Sequence, residues 1–71
     1  MPRPFFVTSA RLASMLSMNG IELTPCVNIY NESMRAWKTP LNKESATIIA
    51  DFYRERKRPV PRIVAEVLDQ N

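Results

Sequence analysis

The sequence predicts a mainly α fold: a compact four-helix domain spanning residues 1–71, with a small two-stranded β element near the N-terminus. Three observations lead there. Apolar residues recur at intervals of three and four in four separate stretches, the period of a helix with one buried face. Residues that start and stop helices stand between those stretches. Each stretch offers a single apolar stripe, so the four helices must share one core. Seventy-one residues make one domain, and at that size folding buries only about 60% of the surface the unfolded chain exposes, so stability is marginal. With 45% hydrophobic and 24% charged residues, the chain has the apolar content for a core and is not a disordered segment.

Taken in order, Pro2 and Pro4 oppose an early helix, and Phe5-Phe6-Val7 is an aromatic, β-branched run suited to an extended anchoring strand or arm. Adjacent residues on a strand face opposite sides, so Phe5 and Phe6 need different covers, and a partner's surface is one candidate. Thr8 or Ser9 caps a first helix to about Met18, with Leu12, Met15 and Leu16 on one side. Asn19-Gly20 supplies its left-handed exit, and Gly20 is the only glycine in the chain. Ile21, Glu22 and Leu23 alternate and suit a brief strand paired with Phe5–Val7. Thr24-Pro25 reads as the cap and first position of a second helix. Val27, Tyr30, Met34 and Trp37, spaced by three, four and three, form its stripe as far as about Lys38, and Pro40 closes it. Asn42 caps a third helix with Ile48, Ile49, Phe52 and Tyr53 on its apolar face, and Arg54, Arg56 and Lys57 extend from its last turn, where cations suit the helix dipole. Arg58-Pro59-Val60-Pro61 must be extended or turned. From Pro61 a fourth helix turns Val64, Val67 and Leu68 inward.

The chemistry of most enzymes is missing. There is no histidine, and one cysteine with scattered carboxylates makes no metal set. A single glycine excludes a glycine-rich phosphate loop. Asp51 and Glu55 lie one helical turn apart, but their neighbours Arg54, Arg56 and Lys57 make them part of a solvated charged face. Cys26, in the first turn of the expected second helix, reads as a small buried or half-buried side chain, with a dipole-activated thiol as the alternative. The expectation is a protein with no catalytic residues, metal, cofactor or small-molecule substrate. The lone cysteine favours a reducing compartment, and neither an apolar span nor a signal peptide is apparent, so the cytoplasm is the expected location.

What remains is binding. The formal net charge is +3, and five of ten Lys and Arg fall within nine residues: Arg54, Arg56, Lys57, Arg58 and Arg62. Cations at a helix end, followed by a proline-stiffened turn, can meet several phosphates with little loss of entropy. The alternative is a solvated helix end. A second candidate is the polar face of the expected second helix, where Asn31, Arg35 and Lys38 recur at four and three; Asn and Arg make bidentate contacts to base edges. Trp37 is either a core residue of its stripe or an anchor for a protein partner, as are Phe5 and Phe6.

The series Tyr53, Arg54 to Arg58, Pro59-Val60-Pro61 and Ile63 to Leu68 resembles the small helix-turn-helix regulators of bacteriophages and bacteria, the Cro and repressor-like domains. Met34-Arg35-Ala36-Trp37 followed by Ser45 to Tyr53 resembles the same pattern in a second register, and the two exclude each other. The resemblance implies a small regulator of transcription, a homodimer on duplex DNA, with the cations of the cluster on phosphates and Asn31, Arg35 or Lys38 near bases. In size and basicity the chain is also similar to short phage proteins that bind host machinery. That likeness implies docking on host RNA polymerase in a bacterial cytoplasm through Phe5, Phe6 and the arginine-rich segment.

Overall fold

Phe5, Phe6 and Val7 are β-formers that need a hydrogen-bonding partner, because a lone strand leaves its backbone groups unpaired. In the computed structural model, which describes residues 4–27 and 35–70, that partner is the segment just before Pro40. The elements are β1 (Pro4–Val7), α1 (Ala10–Met18), β2 (Thr24–Val27), β3 (Arg35–Pro40), α2 (Lys43–Glu55) and α3 (Arg62–Asp69). The strands form an antiparallel sheet in the order β1-β3-β2. In register, Phe5 lies opposite Thr39 and Val7 opposite Trp37 on one side, while Thr24 lies opposite Lys38 and Cys26 opposite Ala36 on the other. Both outer strands run against β3 and hence parallel to each other, so α1 is the crossover of a split β-α-β unit.

This mixed architecture of three helices and a three-stranded sheet corrects the four-helix expectation. The second helix is the one that fails. Thr24–Val27 and Arg35–Pro40 are strands, which puts Val27 and Trp37 on different strands; Tyr30, Met34 and Asn31 lie outside the described residues. Cys26 is a half-exposed strand residue, not one in a helical first turn. The 3-4-3 spacing had competition from Thr24, Val27, Trp37 and Thr39, residues that fit a pleated surface, and the need to pair β1 decides the matter. The expected strand at Ile21–Leu23 is a loop. Its alternation reports burial, since Ile21 and Leu23 pack on the core, but the Thr39 hydroxyl holds the loop by donating to the Glu22 carbonyl at 2.8 Å.

The first, third and fourth expected helices form. Ser9 caps α1, accepting from the Leu12 amide at 3.3 Å, and Leu12, Ala13 and Leu16 turn inward. Gly20, at φ +75°, ends it: the Gly20 amide donates to the Ser17 carbonyl and the Ile21 amide to the Leu16 carbonyl, both at 3.0 Å. This is the Schellman arrangement. Asn42 and Ser45 cap α2 reciprocally, with bonds of 2.9 and 3.0 Å. The buried Ser45 hydroxyl also donates to the Pro40 carbonyl at 2.8 Å, tying the end of β3 to the start of α2. Pro61 stands just before α3, whose Val64 is fully buried. Phe5 and Val7 from the sheet, Leu12 and Leu16 from α1, Leu41, Ile49 and Phe52 around α2, and Val64 form one core. Burying a side chain of this size stabilises by roughly 1.5–3 kcal/mol. Among the described residues, no helix is long and apolar enough to cross a membrane.

Ser45→Ala removes the acceptor for the Asn42 amide and the donor to Pro40 without changing apolar packing. We expect a loss of about 1–3 kcal/mol, measured as a lower urea midpoint at unchanged m-value.

Candidate nucleic-acid interface at the corner of helices 2 and 3

The apolar face of α2, with Ala46, Ile49, Ala50 and Phe52 buried, orients the helix so that its C-terminal end carries the cations outward. The corner runs from Arg54 through the six connecting residues 56–61 to Arg62, and Arg54, Arg56, Lys57, Arg58 and Arg62 are all exposed. Two of the five have acidic neighbours on their own helices: Arg54 with Asp51 at 3.8 Å and Arg62 with Glu66 at 3.3 Å. Arg56 stacks its guanidinium 4.5 Å from the centroid of the Phe52 ring, which holds that charge over an otherwise buried aromatic. Among the described residues, Arg56, Lys57 and Arg58 make no ion pair.

The backbone repeats the end of α1. The Arg56 amide donates to the Tyr53 carbonyl at 3.1 Å, the Lys57 amide to Arg54 at 3.0 Å and the Arg58 amide to Tyr53 at 3.0 Å. Position for position, Lys57 stands where α1 has Gly20, and Arg58 where α1 has Ile21. Lys57 accordingly takes φ +56°, the one positive value among the described non-glycine residues. A side chain in that region costs on the order of 1 kcal/mol, set against about 0.3–1 kcal/mol that a cation gains at a helix C-terminus.

The second group of candidate residues is not assembled as expected. Arg35 and Lys38 are exposed, but they lie three apart on a strand and therefore point to opposite faces, where a helix would have set them side by side. Lys38 shares its face with Phe6, its cross-strand neighbour. Phe5 is buried in the core, whereas Phe6 is 59% exposed; Phe5 is thus closed to a partner and Phe6 is open to one. Trp37 is half-buried and packs on the core from β3. The two stretches that carry the helix-turn-helix resemblance fall on different elements: Tyr53 to Leu68 spans the end of α2, the turn and α3, whereas Arg35 to Trp37 is strand.

Two features of the corner were missed by sequence reasoning, and one of them was within its reach. Arg56 lies four residues after Phe52, the spacing at which side chains meet on a helix. Lys57 follows the last turn at the distance where Gly20 follows that of α1, but its left-handed backbone has no signature in a lysine. Elsewhere, Pro4, Glu22, Thr24, Lys38, Thr39 and Pro40 line an open hollow of about 240 Å³. Among the described residues no three His, Cys, Asp or Glu side chains gather as metal ligands. No protein-family model, curated protein or solved structure matches the chain.

The two ion pairs are exposed, so Asp51→Asn and Glu66→Gln are each expected to change stability by no more than about 0.5 kcal/mol, measured by chemical denaturation at low salt.

Proposed function

We propose that the chain is a small transcription regulator of phage type that acts in the bacterial cytoplasm by docking on duplex DNA through the corner between α2 and α3, without catalysis. The observation that carries this reading is the exposure of Arg54, Arg56, Lys57, Arg58 and Arg62 around one stiffened turn, three of them with no acidic partner among the described residues. A folded chain gains little from collecting mutually repelling charges there, whereas a phosphate backbone rewards them by releasing condensed counterions. The helices contribute little to base reading. The exposed side of α3 carries Glu66 and Asp69 beside Arg62, and that of α2 carries Glu44, Asp51 and Glu55. The contact is therefore mainly to the backbone, and sequence preference enters through DNA shape or through pairing of two copies. Binding to duplex DNA titrated across ionic strength is the test. At about 0.9 per neutralised phosphate, the slope of log affinity against log salt should lie between about −2.7 for the three unpaired cations and about −4.5 for all five; a flat profile removes the reading.

Phe6 favours a second reading, in which the protein binds host RNA polymerase. A large aromatic exposed beside Lys38 is the composition of an interface anchor with a charge to steer association. Here Phe6→Ser should leave the melting temperature within a few degrees and abolish capture of polymerase holoenzyme. Capture at wild-type affinity by that variant counts against the polymerase reading.

A further inference from the structure

We infer that Lys57 is a phosphate-contacting residue of the corner, kept at a backbone position whose folding preference is glycine. The comparison is internal to the chain. The ends of α1 and α2 have the same three hydrogen bonds, and in both the residue after the cap lies in the left-handed region, at φ +75° for Gly20 and +56° for Lys57. At α1 the sequence meets the preferences of this motif: glycine relieves the backbone, and Ile21 after it packs on the core. A Cβ built on Gly20 meets nothing within 4 Å, so glycine serves the torsion there and not the space. At α2 both preferences are set aside in the same direction. Lysine replaces glycine and exposed Arg58 replaces the apolar residue, while Arg56, on the cap itself, is held against Phe52. Three consecutive cations on a turn whose amides all donate to carbonyls of the helix match a run of phosphodiesters better than they serve the helix end, whose dipole one exposed cation already complements. Residues held in sparsely populated backbone regions cluster at functional sites.

This inference rests on the duplex-DNA reading above, and the experiment separates the two. Wild-type protein and the variants Lys57→Gly, Lys57→Ala and Lys57→Arg are compared in thermal melting and in salt-titrated binding to duplex DNA. Lys57→Gly should melt at or above the wild-type temperature, and above Lys57→Ala by about 4 °C, as relief of backbone strain in a domain of this size implies. Lys57→Gly and Lys57→Ala should both bind several-fold more weakly near 0.1 M salt, with a slope shallower by about 0.9, and Lys57→Arg should retain the wild-type slope. Lys57→Gly with an unchanged slope overturns the inference while leaving the DNA reading intact. So does a Lys57→Gly protein melting well below wild type, which makes the lysine a folding residue. Wild-type protein that binds no duplex DNA at any salt ends the DNA reading, and the inference falls with it.

Discussion

β3 is the strand with a neighbour on each side, and the remainder of the architecture hangs on it. β1 and β2 are four residues long, too short to persist as a pair in water, and each satisfies its backbone against β3 alone. The prolines fall where they cost least, with Pro4 and Pro40 opposite each other at the end of the β1 ladder and Pro25 on an edge strand. Because β1 and β2 are parallel and separated, α1 must cross over to join them, and its Leu12 and Leu16 are thereby laid on the face that carries Phe5 and Val7.

The same strand sets the direction of α2. Pro40 ends the ladder, its carbonyl accepts from buried Ser45, and Asn42 and Ser45 close the first turn. A helix begun so firmly has little freedom in where it ends. Thirteen residues on, about 20 Å away, its C-terminus delivers a run of cations that the core cannot accept and the solvent must. Ile49 and Phe52 facing inward and Arg54 to Arg58 facing outward are two consequences of one helix orientation.

Electrostatics separates this corner from the rest of the surface. The exposed faces of α2 and α3 mix acids with bases, and their close pairs, Asp51 with Arg54 and Glu66 with Arg62, are local and exposed. Such pairs contribute little to stability but dilute the field above them. Across the turn, from Arg56 to Arg58, three consecutive cations stand with no ion pair among the described residues, and there the backbone takes a conformation that lysine does not favour. Phe6 beside Lys38 is the counterpart on the sheet, an exposed apolar ring made unavoidable by the alternation that buries Phe5.

Much of the fold was legible residue by residue. Ser9, Gly20, Asn42 and Pro61 mark helix ends through chemistry that acts within a few residues, and α1, α2 and α3 lie where those signals put them. The cation cluster was equally visible, since charge needs no partner to be recognised. The Thr24–Lys38 region was not. Its four apolar residues satisfy a helical period by spacing alone, while its β-formers declare themselves only when a strand far away in sequence needs a partner. That decision belongs to tertiary structure, because a ladder's hydrogen bonds join segments that no local window contains. For the same reason, only the fold could separate Arg35 from Lys38, bury Phe5 while exposing Phe6, and reveal a lysine in the conformation of a glycine. What the sequence determined by itself was the set of helix ends and the presence of a basic segment; which faces those residues share was left to the long-range pairing of β3.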